Sequence, residues 1–338
     1  MAPAFMNAVV MDTPGDPGVL RTTRVPVPRP ARGQVLVRVH AAMVSSLDLS
    51  VRSGAVPVDL PFLPGSDAAG EVLVVGPGVT EWSPGDRVVV VGHSMGLTRA
   101  GGYADYLTVS GAELHPIPTN VSFISSTSVG RSFSAAWTAL FRDGRLGMND
   151  RVAVIGAAHP IGMAAVQICH WKGSTVIAVS DGRHAPRLRA LGAVRVISHS
   201  APDLAARVRA GLGGRGATVV LNVTGSALPA SVQMLDRNGR LVLTGGGDPP
   251  MLDVHPLIER RAHLIGSAPR IDAVDLHQVL ELLGEATFLP VIDSIYPLSK
   301  IAEAHRRAAS QLTFGAVLLV PDHLYTSAEK VTQLGEEG

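Results

Sequence analysis

An alternation of short apolar runs with helical patterns between residues 151 and 244 most constrains the fold. The apolar runs are followed by segments whose apolar residues recur at helical spacing, as at Ile161, Ala165 and Ile168. Strands that alternate with helices pair in parallel, with helices on both faces of the sheet, so we predict an α/β fold with a doubly wound parallel sheet. The predicted strands are 151–155, 175–179, 194–197, 218–223 and 240–244, and the predicted helices are 134–141, 160–172, a helix ending at 191, 204–212 and 228–235.

Residues 1–120 follow a different pattern, because short strands are separated by turns rich in glycine and proline. Val35, Val37 and Val39 alternate with other residues, which is the period of a half-buried strand. This pattern favours a compact all-β or α+β domain. After residue 270, helical patterns and an apolar run at 316–320 predict a segment that returns to this first domain, followed by a polar tail.

Composition excludes several classes of protein. Of the 338 residues, 46% are hydrophobic and 17% charged, which excludes a disordered chain. A net charge of +1 and an aromatic content of 4% argue against a nucleic-acid partner, and the apolar runs are far shorter than a membrane span. Cys169 is the only cysteine, so neither an internal disulfide nor a thiolate-rich zinc site can form. Because the N-terminus lacks a secretory pattern, we expect a soluble cytoplasmic protein without nucleic-acid or membrane partners.

A glycine-containing turn between predicted strand 151–155 and predicted helix 160–172 carries the first functional signal. Such a turn points free backbone N–H groups and the positive end of the helix at an anion, usually a pyrophosphate. Gly156 permits the tight turn and Gly162 the close helix packing, whereas His159 and Pro160 replace a middle glycine and either contact the phosphate or obstruct it. The alternative is a plain turn without a ligand. The expected cofactor-binding residues here are Gly156, Ala157, His159, Pro160, Ile161 and Gly162.

The residues that follow the second predicted strand bear on which dinucleotide binds. An acidic residue there binds the ribose hydroxyls of NAD, whereas a small residue with a nearby arginine suits the 2′-phosphate of NADP. Ser180 with Arg183 and Arg187 favours NADPH, while Asp181 favours NADH. We predict NADPH as the cofactor, NADH as the alternative, and these four residues as contacts. In the other interpretation the arginines form a solvated helix face.

Several motifs in a fixed order extend along nearly the whole chain. They include Leu-Pro-Gly-Ser-Asp-Ala-Ala-Gly at 63–70, Gly-Gly-Tyr-Ala-Asp-Tyr at 101–106 and Trp-Thr-Ala-Leu at 137–140, with further segments at 75–79, 85–88, 156–167, 191–193 and 238–242. In this combination the sequence resembles the zinc-independent members of the medium-chain dehydrogenase/reductase superfamily, close to the quinone oxidoreductase and enoyl reductase branch.

The resemblance implies two domains and a homodimer. A GroES-like, β-rich catalytic domain is formed by residues 1–121 and, with the C-terminal tail, 271–338. A Rossmann NAD(P)-binding domain, residues 122–270, is inserted between them. The resemblance also places Thr138 beside the nicotinamide and implies further cofactor contacts from Asn222, Val223, Thr224, Gly245 and Gly246.

The resemblance also bears on metal binding. Zinc-dependent relatives have a cysteine within the segment that corresponds to residues 44–48 and a His-Glu pair after the glycine of the Pro-Gly motif. Here Ser45 takes the position of the cysteine, and Ser66 and Asp67 take the positions of the pair. Because a hydroxyl is a poor zinc ligand, we expect no zinc. Without a metal to lower the pKa of a simple alcohol, hydride transfer to an activated C=C bond is favoured.

The group that supports the developing enolate stays open at this point. Quinone oxidoreductases often carry an asparagine near position 45 and a tyrosine near position 50, where this chain has serines. In the alternatives, Asp48 holds a loop or pairs with Arg52, His93 lies in a surface loop, and Tyr103 packs where the two domains meet. The catalytic candidates are Ser45, Ser46, Asp48, His93, Tyr103 and Thr138.

We therefore predict an NADPH-dependent reductase that transfers hydride to an activated C=C bond of a conjugated carbonyl substrate, such as an enone, a quinone or a polyene. A role in natural-product biosynthesis fits the altered serine-rich segment, and reductive cyclisation is a variant of the same chemistry. The alternative of another class is a non-catalytic binding or scaffold protein, because the middle glycine and the usual asparagine and tyrosine are missing.

Overall fold

The computed structural model describes residues 2–91, 94–245, 252–268, 270–310 and 312–325. These residues form fifteen β-strands and nine α-helices. The strands are β1 (Phe5–Met11), β2 (Leu20–Pro26), β3 (Gln34–Met43), β4 (Asp67–Val75), β5 (Arg87–Val91), β6 (Tyr106–Ser110), β7 (Leu114–Pro116), β8 (Arg151–Ile155), β9 (Thr175–Ser180), β10 (Arg195–Ser198), β11 (Ala217–Asn222), β12 (Leu235–Leu243), β13 (His263–Gly266), β14 (Ile292–Pro297) and β15 (Ala316–Val320). The helices are α1 (Ser46–Ser53), α2 (Phe123–Trp137), α3 (Pro160–Trp171), α4 (Ala185–Ala190), α5 (Leu204–Gly211), α6 (Leu228–Met234), α7 (His255–Arg260), α8 (Ala273–Gly284) and α9 (Ile301–Ala309).

The chain divides into two compact units. The first consists of Met1–Arg131, Leu276–Gly284 and Pro290–Gly338, and the second of Ser132–Asp275 and Glu285–Leu289. The first unit therefore takes residues from both ends of the chain. The domain boundaries suggested by the sequence, after residues 121 and 270, stay a prediction.

Six parallel strands form the sheet of the second unit, in the order β10-β9-β8-β11-β12-β13. The chain runs from β8 outward to β9 and β10 and then returns to the other side of β8 with β11, so a topological switch point lies between β8 and β11. Val152, Ala153 and Val154 are all buried, and since consecutive residues of a strand point to opposite faces, both faces are covered. This confirms the predicted α/β parallel sheet.

The first unit is built on a mostly antiparallel sheet. Its strands follow the order β14-β15-β3-β4-β5-β7, with β6 paired to β3, and β1 and β2 form a separate antiparallel pair. Leu318 of β15 lies opposite Met43 of β3. The C-terminal strands therefore extend the sheet that the N-terminal residues begin.

Helix α2 is longer than the sequence predicts. It begins at Phe123 rather than at residue 134, and it continues past Trp137 as a π-helical turn over Thr138–Asp143. Its first half is rich in serine, a poor helix former that competes for backbone hydrogen bonds. In the structure these hydroxyls bond back within the helix, since those of Ser126 and Thr127 donate to the Phe123 carbonyl at 3.0 and 2.7 Å. The helix predicted at residues 134–141 is therefore confirmed, but it begins earlier, at Phe123, and ends later, at Asp143.

Helix α3 follows β8 and packs into the second unit with most of its length. Its residues from Gly162 to Cys169 are buried, and Gly173 follows at a positive φ of 80° where the chain turns toward β9. Cys169 is fully buried, and burial raises the pKa of its thiol. The only cysteine of the chain is thus a core residue.

Candidate functional site

The turn between β8 and α3 requires glycine at two positions. Gly156 has a φ of +79°, and a Cβ there would lie 2.6 Å from the Thr224 methyl group. A Cβ on Gly162 would lie 2.2 Å from the Gly156 carbonyl oxygen, because the first turn of α3 packs against the turn itself. These two close approaches leave no room for a side chain at either position, beside the N-terminus of a twelve-residue helix.

His159 is the N-cap residue of α3. Its Nδ1 accepts a hydrogen bond from the Ile161 N–H at 3.3 Å, and Pro160 occupies the first helical position. Burial lowers the pKa of His159 to about 4, so the imidazole is neutral and carries its hydrogen on Nε2. The His159 side chain therefore accepts the hydrogen bond of one backbone N–H that would otherwise be free to bind a phosphate. In its place the ring offers its own Nε2–H as a donor.

The loop after β11 is shaped by Asn222, which the resemblance assigns to the cofactor. Asn222 is fully buried, and its amide nitrogen donates to the Ser226 carbonyl at 2.7 Å and to Ser231 Oγ at 3.1 Å. Its oxygen accepts from the backbone of Thr224 and Gly225. The Asn222 side chain thus positions the Val223–Thr224 backbone, and a direct cofactor contact stays a prediction.

Gly245 lies next to this loop at the end of β12. A Cβ at Gly245 would lie 2.1 Å from the Val223 carbonyl oxygen, so only glycine fits there. Thr244 N–H donates to the Asn222 carbonyl at 3.2 Å and holds the two strand ends together. Gly246 lies outside the described residues.

The predicted ribose contacts follow β9. Ser180 is buried, whereas Asp181 accepts from the Arg183 backbone N–H at 3.0 Å and pairs with its guanidinium at 2.6 Å. The Arg183 side chain holds the pKa of Asp181 at about 2, so the carboxylate stays charged and paired. Arg187 is exposed on the following helix α4.

Thr138 begins the π-helical turn and is buried. Its hydroxyl donates to the Arg270 carbonyl at 3.1 Å. Arg270 follows β13 in the chain. The structure therefore brings Thr138 to the carboxyl end of β13, within the same unit as the glycine turn.

A second group of predicted residues lies in the first unit, around the start of α1, a helix that the sequence patterns do not predict. Ser45 is the N-cap residue, and its hydroxyl donates to Asp48 Oδ2 at 2.7 Å in a reciprocal capping box. Ser66 Oγ lies 2.8 Å from Ser45 Oγ, and Ser66 N–H donates to Asp48 Oδ1 at 2.9 Å. Asp48 is fully buried, and burial raises the pKa of its carboxyl. Asp48 therefore binds two serines and does not pair with Arg52, which donates to the Gly15 carbonyl.

An ion pair that the sequence analysis missed adjoins this group. Arg131 Nε lies 2.8 and 2.7 Å from the two oxygens of Asp67, and Arg131 Nη2 donates to the Ser66 carbonyl at 3.0 Å. Asp67 is almost fully buried. No motif links Arg131 to Ser66, since the two are 65 residues apart in the chain.

Of the remaining catalytic candidates, Tyr103 lies near Asp48. Tyr103 is fully buried, its hydroxyl lies 3.3 Å from the Met43 carbonyl, and burial and Asp48 raise its pKa. Ser46 is exposed at the first turn of α1. His93 lies outside the described residues.

The residues at the expected zinc position do not suit zinc. Serine hydroxyls stand at 45 and 66, and both oxygens of Asp67 face a guanidinium. Among the described residues, no three His, Cys, Asp or Glu side chains form a group that could hold a metal ion. The absence of zinc stays a prediction. In the described part of the chain, no helix is long and apolar enough to cross a bilayer.

Known proteins match the chain along nearly its whole length. The family model for the alcohol dehydrogenase GroES-like domain matches residues 31–119, and that for zinc-binding dehydrogenase matches residues 160–285. Quinone oxidoreductase of Rattus norvegicus is 29% identical over 311 residues, which cover 89% of this chain and 93% of the relative. An NAD-dependent alcohol dehydrogenase of known structure is 31% identical with a TM-score of 0.89, covering 93% of this chain and 99% of the other. A cobalt- and zinc-bound thermostable alcohol dehydrogenase from Pyrobaculum aerophilum is 30% identical with a TM-score of 0.84, covering 94% and 100%.

The chain combines a GroES-like unit with a parallel-sheet unit, and similar proteins match it over nearly its whole length. These features define an oxidoreductase with a dehydrogenase fold. The chain belongs to the medium-chain dehydrogenase/reductase superfamily, in its quinone oxidoreductase branch. The resemblance stated from the motifs is thereby confirmed.

Proposed function

We propose that the chain is an NADPH-dependent reductase acting on the activated C=C bond of a conjugated carbonyl compound. The observation that carries the proposal is the glycine turn after β8, which lies at the switch point of the parallel sheet and ends in the N-terminus of α3. Dinucleotides bind at this place in open parallel sheets. The quinone oxidoreductase and NAD-dependent dehydrogenase among the similar proteins support the same cofactor class.

The residues of the second unit fit a dinucleotide. Glycines 156, 162 and 245 keep the carboxyl edge of β8 and β12 free of side chains, so a pyrophosphate can approach the backbone. His159 Nε2–H is available as a neutral donor beside the helix N-terminus. When bound, the nicotinamide cofactor supplies the hydride.

The choice of NADPH rests on Arg183. In the protein alone its guanidinium neutralises Asp181, the residue that would accept the ribose hydroxyls of NADH. A 2′-phosphate carries more charge than a single carboxylate and takes bidentate hydrogen bonds from arginine. Exposed Arg187 adds a second positive charge on α4.

At the substrate end, the hydroxyls of Ser45 and Ser66 would meet the substrate carbonyl. When the Asp48 carboxyl is ionised, the Ser45 hydroxyl donates its hydrogen inward at 2.7 Å. When Asp48 carries a proton, the Asp48 carboxyl donates that proton to the Ser45 oxygen in the same contact. The Ser45 hydroxyl hydrogen can then be donated to another acceptor. A proton on Asp48 thus frees Ser45 to donate to an enolate oxygen, and burial of the carboxyl favours the protonated form.

We also propose a homodimer formed through β13, one of the two edge strands of the parallel sheet. Leu264 on β13 is 45% exposed, and Ile258 on the preceding helix α7 is 69% exposed. The opposite edge strand, β10, begins with the exposed Arg195. Charged residues protect an edge strand from pairing, whereas an apolar edge favours it.

A titration with NADPH and NADH, followed by nicotinamide fluorescence, tests the proposal. We expect micromolar NADPH binding (~10⁻⁶ M, about 8 kcal/mol) and clearly weaker NADH binding. Enones and quinones that cause NADPH oxidation would then identify the substrate class. Failure to bind either dinucleotide would overturn the reductase and favour the scaffold alternative.

A further inference from the structure

Two buried side chains of the first unit carry nitrogen atoms without a hydrogen-bond partner among the described residues. They are Arg52 in the last turn of α1, through its Nε, and His305 of α9, through both Nδ1 and Nε2. His305 is fully buried, and Arg52 is only 9% exposed. Because an unsatisfied buried polar atom destabilises a fold, these nitrogens indicate a missing partner.

The packing of the first unit brings the two side chains together. Arg52 is joined to Gly15 twice, since its carbonyl accepts from the Gly15 N–H at 2.8 Å and its Nη1 donates to the Gly15 carbonyl. A Cβ on Gly15 would lie 3.0 Å from Val19, which belongs to a short helical turn (Pro17–Val19) that packs against α9. Burial and, after it, the positive charge of Arg52 lower the pKa of His305, which places the guanidinium close to the imidazole.

The charge of Arg52 has no acidic counterpart in the part of the chain that the structure describes. Its Nη1 donates to the neutral Gly15 carbonyl, and Asp48, one turn earlier on α1, binds serines instead. Arg131 of the same unit, in contrast, pairs with Asp67 at 2.7 Å. Because a guanidinium stays protonated and buried charges are usually paired, we expect a negatively charged partner beside Arg52.

The surroundings favour a small monovalent anion as this partner. Val51 and Ala304, which precede Arg52 and His305 in the chain, belong to one apolar core together with Tyr103, whose ring packs edge-on against His305. One negative charge neutralises one guanidinium, whereas a divalent anion would bury an excess charge. Arg52 Nε–H and the N–H of a neutral imidazole are both donors, as an anion requires. The complete burial of His305 argues against a bulky organic anion.

We propose that Arg52 Nε–H and the imidazole of His305 bind a halide ion, such as chloride, in the core of the first unit. The ion joins the last turn of α1, the segment at Gly15 and helix α9, which are far apart in the chain. It supplies the partner that the two side chains do not find among the described residues. The inference is independent of the proposed reductase activity, because it involves neither the glycine turn after β8 nor the serines at the start of α1.

Bromide replaces chloride in halide sites and can be located by its anomalous scattering. Crystals of the full chain, grown without chloride and soaked in sodium bromide, should show an anomalous peak within hydrogen-bonding distance of Arg52 Nε and of one His305 ring nitrogen. A water molecule at this position, without an anomalous signal, would overturn the assignment.

Thermal unfolding tests the same site in solution. A ligand that binds only the folded state stabilises it, so saturating sodium chloride should raise the Tm of the wild type by roughly 2–5 °C above sodium gluconate of equal ionic strength. Arg52→Gln and His305→Leu should each remove most of this difference. Arg29→Gln, at an exposed position of the same unit, is the matched control and should preserve it.

Two results in solution would contradict the assignment. An undiminished effect of chloride in both Arg52→Gln and His305→Leu would assign the effect to other parts of the molecule. A bromide peak in the crystal without any effect of chloride on the wild type would show binding at crystal concentration only. If Arg52→Gln does not fold, His305→Leu and the position of bromide decide the question.

Discussion

The proposed preference for NADPH over NADH rests on Arg183. Arg183→Ala should weaken NADPH binding about 10–100-fold, since it removes charge-assisted hydrogen bonds to the 2′-phosphate. The same change frees the Asp181 carboxylate, which is paired with Arg183 in the wild type, so NADH binding should stay constant or improve. The ratio of the two dissociation constants, measured by fluorescence titration, checks this. An unchanged ratio would assign Arg183 to a solvated helix face.

Ser45 allows its capping role to be separated from its proposed catalytic role. Ser45→Gly keeps an acceptable N-cap, at a cost of a few tenths of a kcal/mol, but removes the hydroxyl, and kcat should fall about 100-fold. Ser45→Thr keeps the hydroxyl and should restore most of the rate. Ser53→Ala, an exposed serine of the same helix, is the control. Thermal unfolding measures the capping role, and kcat measures the catalytic role. If Ser45→Gly is fully active, Ser45 serves only as the N-cap of α1.

Asp48 should govern the pH profile of the same reaction. Because burial raises the pKa of its carboxyl, the proton that frees Ser45 is held to higher pH than in a free aspartate and is lost as the pH rises. The activity of the wild type should therefore decline on the alkaline side. Asp48→Asn, which is neutral at every pH and can donate to Ser45 as the protonated carboxyl does, should remove this decline, whereas Asp59→Asn at an exposed position should preserve it. An alkaline limb that persists in Asp48→Asn would assign the titration to another group.

At the scale of elements, helix α9 introduces an acid-sensitive contact into the core of the first unit. His305 of α9 is fully buried, both ring nitrogens lack partners among the described residues, and its ring packs edge-on against Tyr103 at 5.9 Å. Burial and the nearby Arg52 lower the pKa of His305 from 6.5 to about 3. The unfolded chain therefore binds more protons between these values, and stability is lost as the pH falls through this range.

The slope for a single such group approaches about 1.4 kcal/mol per pH unit. His305→Leu should flatten the pH dependence of the free energy of unfolding and raise that free energy at neutral pH by about 1–3 kcal/mol, since no polar atom is then left unsatisfied. His277→Leu, at an exposed position of α8, serves as the control. Denaturant unfolding at several pH values measures the free energy of unfolding and its pH dependence. If the pH dependence is as steep in His305→Leu as in the wild type, another group causes the acid sensitivity.

Elements with strong local signals were predictable from the sequence, and those with weak ones were not. The β8–turn–α3 unit combines a fully apolar strand, two required glycines and a helix with proline at its first position, so local chemistry alone indicates it. The first half of α2 and all of α1 lack such signals, because they are rich in serine or short. Their helices depend on capping and tertiary packing, which a single sequence does not display.

The same distinction holds for the candidate site. The glycine turn and the residues after β9 follow their strands directly. Their positions in the fold can therefore be predicted from the local sequence. The contact of Ser45 with Ser66 follows only once the resemblance to zinc-dependent relatives is known, and Arg131 reaches them from a distant helix.

At the scale of the whole molecule, the proposed dimer predicts a difference between the two edges of the parallel sheet. Leu264→Lys on β13 should convert the dimer into a monomer, because a lysine on an edge strand opposes pairing. Val194→Lys, which precedes β10 at the other edge and is 65% exposed in the wild type, should leave the dimer intact. Sedimentation equilibrium gives the mass of each variant. A monomeric wild type, or a Leu264→Lys dimer, would contradict assembly through β13.

Conjugated carbonyls and quinones are electrophiles that alkylate accessible thiolates, and the thiolate is the reactive form of cysteine. The only thiol of this chain, that of Cys169, is enclosed within helix α3 and kept protonated by its surroundings. The proposed reductase, which has no exposed sulfhydryl group, should therefore resist covalent inactivation by its proposed substrates, even when they accumulate.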